Sequence, residues 1–131
     1  MNKGYRDLLD EANAVVEVVS PGEAATLLDD DNTIFVDLRD PREVEREGRI
    51  PGARHCPRGM LEFWIDPESP YHKPFFASGR NFVFFCAGGW RSALAAKTAK
   101  DMGLEPVRHI LGGFTAWRDA GLPTETGDGK S

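Results

Sequence analysis

Cysteine is scarce: Cys56 and Cys86 are the only two in 131 residues. Two thiols cannot build the disulfide framework of a small secreted domain, so a reducing, cytoplasmic context is expected. Long apolar runs are missing as well. None approaches the ~20 residues that span a bilayer, which excludes a membrane helix. The opening Met-Asn-Lys-Gly-Tyr-Arg-Asp carries no apolar stretch of the secretory kind. Basic charge is not in surplus. Sixteen Lys+Arg against 21 Asp+Glu leave −5, the wrong sign for a surface that tracks nucleic-acid phosphates. With no Cys-x-x-Cys and no His-Glu-x-x-His, a metal site is not expected, and no other cofactor is called for. There are no repeats, low-complexity tracts or internal linkers.

What is present can fold. The chain is 40% apolar, with eight Phe and three Trp, enough for one core and too short for two domains. Helical and strand patterns alternate, the signature of an α/β domain with a parallel sheet. Residues 1–14 read as an N-terminal helical extension with Tyr5, Leu8, Leu9 and Ala12 on one side. The domain proper covers 15–123, and 124–131 reads as a flexible tail. Strands are expected at 15–19, 33–37, 54–56, 81–85 and 107–111. Ser20-Pro21-Gly22-Glu23 opens a helix through Leu28, and Asp40-Pro41-Arg42-Glu43 opens one that ends near Gly48. Further helices are expected over 90–102, with small Ala95, Ala96 and Ala99 allowing close approach to the sheet, and over 114–120. The last should close on Gly121 with Leu122 touching Trp117. Residues 57–80 hold four prolines and five aromatics. The stretch is irregular apart from a helical turn or two at 61–65. Its Phe63, Trp64, Tyr71, Phe75 and Phe76 read first as extra core over the sheet. The alternative is an apolar rim, with Trp90, that selects a large acceptor.

The chemistry concentrates in Phe84-Phe85-Cys86-Ala87-Gly88-Gly89-Trp90-Arg91-Ser92. A buried strand ends, a cysteine follows, and a glycine loop feeds a helix. Ligands of open α/β sheets sit outside the carboxyl ends of the strands. There the loop N–H groups, the helix N-terminus and Arg91 together favour an anion, and a thiolate is one. Gly88 and Gly89 are expected to supply backbone angles that a Cβ resists.

This segment resembles the active-site loop of the rhodanese family, Cys-x-x-Gly-x-Arg, matched by Cys86, Gly89 and Arg91. Three more segments are similar to that family in order and spacing: Val36-Asp37-Leu38-Arg39; Glu47-Gly48-Arg49-Ile50-Pro51-Gly52-Ala53, with Arg49 where His is usual; and Leu111-Gly112-Gly113-Phe114-Thr115-Ala116-Trp117. Together they run over about residues 33–121. The resemblance implies a rhodanese-like fold of roughly five parallel strands in the order 1-5-4-2-3, with helices on both faces. It also implies a sulfurtransferase. Cys86 would take a sulfane sulfur from a small donor such as thiosulfate and hold it as a persulfide. A thiol, a protein's included, or cyanide would then accept it. The backbone of Ala87, Gly88, Gly89, Trp90 and Arg91 would cradle the sulfur, and Ser92 would donate to it.

Cys86 to Arg91 is Cys-x4-Arg, one residue shorter than the Cys-x5-Arg of related phosphatases, which favours sulfur over a bulkier phosphate. The loop has no charge of its own before Arg91, which argues against thiosulfate as the physiological donor. The alternative of another class is a non-catalytic binding or sensing module. Asp37 and Arg39 are candidate supporting residues, with bracing of the loops the plainer reading. Cys56 reads as a core residue, a resolving thiol only if it lies near Cys86. His72 and His109 read as ordinary surface or hydrogen-bonded histidines.

Overall fold

The computed structural model describes residues 1–127. Helix α1 (Tyr5–Val15) leads into β1 (Glu17–Val19), α2 (Pro21–Ala25), β2 (Thr33–Asp37), α3 (Pro41–Glu47) and β3 (Arg54–His55). A 3-10 turn at Arg58–Met60, α4 (Leu61–Ile65) and a second 3-10 turn at Pro74–Ala77 occupy the irregular stretch. Then come β4 (Asn81–Phe85), α5 (Trp90–Asp101), β5 (Val107–Ile110) and α6 (Gly113–Asp119). The five strands lie in the order β1-β5-β4-β2-β3 and every pairing is parallel, which is the expected order.

Alternation along the two central strands divides the core in two. Ile34, Val36, Phe82 and Phe84 face one side, where they meet Leu61, Ile65, Ala95, Ala96 and Ala99 from α4 and α5. Phe35, Val83 and Phe85 face the other, against Ala24, Phe114 and Trp117 from α2 and α6. Both faces are thus covered, which explains the near-continuous apolar run of β4. The alanine face of α5 is the buried one, and Met102 is exposed. Short side chains let that helix lie close to the sheet.

Helix starts follow their capping chemistry. The Asp40 carboxylate accepts from Arg42 N–H at 2.8 Å, while Glu43 reaches back to Asp40 N–H at 3.0 Å. Ser20 Oγ accepts from Glu23 N–H at 3.1 Å. The helix it opens ends at Ala25 rather than Leu28. From Thr26 the amides turn to carbonyls three residues back, Thr26 to Glu23, Leu27 to Ala24 and Leu28 to Ala25, and the Thr26 hydroxyl takes the Glu23 carbonyl at 2.6 Å. The chain end of α6 has the expected closure: Gly121 N–H donates to Arg118, and Leu122 N–H donates to Trp117 at 3.3 Å, with Gly121 at φ 73°.

The tail is held at its start. Arg49 and Glu125 exchange both backbone hydrogen bonds, at 2.9 and 3.0 Å, and Arg49 Nε adds an ion pair to the Glu125 carboxylate at 2.8 Å. Arg49 therefore holds the chain at Glu125; residues 128–131 of the expected tail lie outside the described part. The face expected on α1 is only partly buried. Ala12 is fully buried, while Tyr5 and Leu8 are exposed. The helix packs along α5, where Tyr5 meets the Trp90 ring at 5.1 Å. Among the described residues no helix is long and apolar enough to cross a membrane.

Candidate active site

Cys86 is the first residue past β4. The chain leaves the sheet there, and α6 closes over it. Phe114 N–H donates to the Cys86 carbonyl at 2.8 Å and Thr115 N–H to the Ala87 carbonyl at 3.1 Å. This approach explains Gly113 of the Gly112-Gly113 pair. Gly113 has φ 62°, and a Cβ on it would stand 2.4 Å from the Cys86 carbonyl oxygen. In the loop itself, Gly89 is the N-cap of α5 with φ 102°, a left-handed conformation that favours glycine. Gly88 does not share this need: its φ is not positive, and nothing lies within 4 Å of a Cβ built there. The expectation that both glycines serve special backbone angles is corrected to Gly89 alone.

The sulfur sits in a nest of donors. Gly89 N–H reaches Sγ at 3.1 Å and Ser92 N–H at 3.4 Å; Ser92 Oγ lies 3.6 Å from Sγ. Of the backbone N–H groups expected to cradle the sulfur, that of Gly89 reaches Sγ, and the N–H of Ser92, expected as a donor through its side chain, joins it. Cys86 is 1% exposed and looks into a cavity of about 320 Å³ lined by Cys86, Gly88, Trp90 and Arg91. Trp90 stands out from the surface on the same cavity.

Arg91 lines the cavity, but its guanidinium is already engaged. Nη1 and Nη2 donate to the two oxygens of Glu43 at 2.6 and 2.9 Å. The same pair holds the Glu43 carboxyl down at about 2, and Glu43, with a smaller contribution from Cys86, pushes the Arg91 guanidinium further up. Arg91 therefore both pairs with an acid and stands beside the thiol. Glu43 was legible in the sequence only as a helix-capping residue.

Asp37 and Arg39 do not line that cavity. They form a buried pair, Arg39 Nη2 to Asp37 Oδ2 2.7 Å, with 1% and 3% of the two side chains exposed. Arg39 also donates to the Gly48 carbonyl at 2.8 Å and stacks over Phe114 at 4.2 Å. Their place is bracing the end of β2 against α3 and α6. Cys56 belongs to the core on the α4–α5 side, after β3 and two strands from Cys86; burial pushes its thiol up to about 12. Both cysteines are free. Of the aromatics at 57–80, Phe76 is buried and Trp64 and Phe75 pack on the core, while Phe63 and Tyr71 face outward. The aromatic beside Trp90 comes instead from α1, as Tyr5. Among the described residues no group of three or more His, Cys, Asp or Glu could hold a metal ion.

His109, read from the sequence as an ordinary surface or hydrogen-bonded histidine, stands beside the site. It is 3% exposed, with Nδ1 3.3 Å from Ser92 Oγ and Nε2 3.0 Å from Asn13 Oδ1. The signal was period two along β5: His109 shares a face with Val107, which is core.

Residues 20–120 match the model of the Rhodanese-like domain family. A Synechocystis protein, itself uncharacterized, is 33% identical over 106 residues; these cover 81% of the chain and 54% of that protein, so the chain spans about half its length. A sulfurtransferase of Allochromatium vinosum is 29% identical over 115 residues, 88% of the chain and 99% of that protein. Among solved structures, a Rhodopseudomonas palustris protein of unknown function, described as a possible tyrosine phosphatase, superposes with a TM-score of 0.93. It is 58% identical, and 95% of the chain and 96% of that protein are covered.

Proposed function

The chain belongs to the Rhodanese-like domain family, and on that premise we propose that it is a sulfurtransferase working through a persulfide on Cys86. The observation that carries the proposal is the donor nest: two backbone N–H groups aimed at one sulfur, Gly89 at 3.1 Å and Ser92 at 3.4 Å, at the floor of a cavity. Fixed dipoles of this kind stabilise sulfur anions without reorganising. The Cys86 thiolate attacks the sulfane sulfur of the donor. With thiosulfate, the sulfur–sulfur bond of the donor breaks, sulfite leaves with its electron pair, and Cys86–S–S⁻ remains. An acceptor thiolate, or cyanide, then attacks the outer sulfur and Cys86 thiolate departs.

Charge favours donors other than thiosulfate. That dianion would enter a cavity whose cation, Arg91, is paired with Glu43, on a chain of net charge −5. A persulfide or polysulfide carries less charge per transferable sulfur and suits the apolar lip of Trp90 and Tyr5. A phosphate monoester is opposed on the same ground. It needs a free bidentate arginine, and Cys-x4-Arg is a residue short of the phosphatase loop. The phosphatase reading of the Rhodopseudomonas palustris relative is therefore not carried over.

The test is intact-protein mass spectrometry after incubation with thiosulfate and, separately, with polysulfide. The expected result is a gain of one sulfur atom, removed by cyanide and absent in Cys86→Ser. No gain with either donor would overturn the proposal and leave a binding or sensing module as the reading.

A further inference from the structure

The thiol of Cys86 is the first member of a hydrogen-bonded row that the sulfur chemistry above does not require. Sγ lies 3.6 Å from Ser92 Oγ, which lies 3.3 Å from His109 Nδ1. His109 Nε2 lies 3.0 Å from the side chain of Asn13 on α1. Cys86, Ser92 and His109 are all buried, and Asn13 is exposed. The row therefore leads from the sulfur to the surface. Its last member stands outside residues 20–120, the part that matches the family.

We propose that His109 is a positioning residue for Cys86: tethered by Asn13, it sets which way the Ser92 hydroxyl points toward the sulfur. A neutral imidazole has one donor and one acceptor nitrogen, so the row has two polarities. With the proton on Nε2, that nitrogen donates to Asn13 Oδ1, Nδ1 accepts from Ser92, and the lone pairs of Oγ face the sulfur. This state suits a thiol, which donates S–H to Oγ. With the proton on Nδ1, that nitrogen donates to Oγ, and the Ser92 hydroxyl donates to an anionic sulfur. Nε2 then accepts from the Asn13 amide, turned over. One proton separates the two states. The thiol proton passes to Oγ, the Ser92 proton passes to Nδ1, and the Nε2 proton leaves to water beside Asn13. The sulfur ends anionic and the ring neutral, in keeping with burial, which holds His109 below the usual histidine range. Without this partner, the Ser92 hydroxyl turns to the carbonyl one helical turn back, the usual bond of serine inside a helix.

The proposal rests on Cys86 being the reactive thiol, and its test does not depend on sulfur transfer. The readout is the rate of Cys86 alkylation by iodoacetamide at neutral pH. Asparagine places a polar atom where Nδ1 stands, and glutamine places one where Nε2 stands. His109→Asn, which keeps the bond to Ser92 and gives up the one to Asn13, is expected to react about threefold more slowly than the wild type. His109→Gln is expected to react about tenfold more slowly, the scale of one hydrogen bond to a charged group. Ser92→Ala is expected to be as slow, with no further loss on adding His109→Gln. A His109→Gln protein of native melting temperature that reacts at the wild-type rate overturns the proposal, as does His109→Asn reacting as slowly as His109→Gln. If the His109 variants do not fold, Asn13→Ala decides from the exposed end. A rate about threefold lower supports the tether and an unchanged one overturns it. If alkylation follows this pattern while no sulfur is taken up, the positioning role stands and the sulfurtransferase reading fails.

Discussion

Arg91 and Glu43 meet through two parallel hydrogen bonds, Nη1 to Oε1 at 2.6 Å and Nη2 to Oε2 at 2.9 Å. The pair joins the start of α5 to the first turn of α3. It also fixes the electrical character of the cavity, because Arg91, the one cation among the described residues lining it, is matched by a carboxylate. Negative charge on the sulfur is then stabilised chiefly by the N–H groups of Gly89 and Ser92, with the Ser92 hydroxyl beside them. Such dipoles suit a single sulfur anion better than a freely diffusing dianion.

Removing the carboxylate should therefore change which donor is accepted. Glu43→Gln is expected to speed persulfide formation from thiosulfate several-fold, by roughly the weight of one unpaired charge near the surface, while polysulfide loading changes less. Initial rates of sulfur uptake with the two donors check this. Equal change for both would mean that the ion pair does not set donor preference.

Glu43 also predicts an acid dependence of stability. In the folded chain its carboxyl lies at about 2, against an ordinary 4.5, mainly because Arg91 donates to it. A group whose pKa is depressed by folding contributes stability that is complete above its unfolded value and is lost as pH falls toward its folded one. The wild type should thus exceed Glu43→Gln in stability above about pH 5, and the gap should close as pH falls toward about 2. Urea midpoints of the two proteins at several pH values give the comparison. A gap independent of pH would place the contribution of Glu43 elsewhere, in its helix cap for instance.

The cysteines should differ in reactivity. Cys56 is fully buried in the core, and its thiol is pushed up to about 12. Cys86 faces the cavity with N–H donors on its sulfur. Treatment of the native protein with iodoacetamide at mildly alkaline pH should add one label, on Cys86, and treatment in denaturant should add two. A native protein that takes label on Cys56 would show an opening of the core absent from this fold.

Most of the scaffold was legible because its signals are local. Asn81–Phe85 is a continuous apolar run between breakers, and it is the central strand. Asp40-Pro41-Arg42-Glu43 announces α3 by its capping chemistry. Strand order was legible only by resemblance, since periodicity does not say which strands are neighbours. The partners of the site were not legible, because they come from far along the chain. Glu43 and Arg91 are 48 residues apart, and Asn13 and His109 are 96 apart. A lone histidine in a four-residue strand reads as a satisfied core residue, which His109 also is; only the serine and asparagine on either side distinguish it. Arg49 was visible as a departure from the family pattern. Its use became clear only with Glu125 seated beside it.

The glycines around Cys86 give the sharpest structural test, because the geometry separates residues that look alike in sequence. Gly113 combines φ 62° with a Cβ position 2.4 Å from the Cys86 carbonyl oxygen and 2.7 Å from that of Ala87. Those oxygens belong to backbone that α6 holds through its own N–H groups, so neither side can yield cheaply. Gly113→Ala should cost roughly 3 kcal/mol, the sum of a left-handed non-glycine residue and a displaced loop. It should also slow sulfur loading in whatever fraction still folds. Gly88 has no positive φ and open space at its Cβ. Gly88→Ala should stay within about 0.5 kcal/mol of the wild type. Because the new methyl group would line the cavity, any loss of activity there should appear as weaker use of bulky donors rather than as unfolding. Thermal melts of the two variants settle the first part, and loading rates with thiosulfate and with a larger polysulfide settle the second. Equal melting temperatures for both variants would mean that α6 does not clamp the loop as these contacts require.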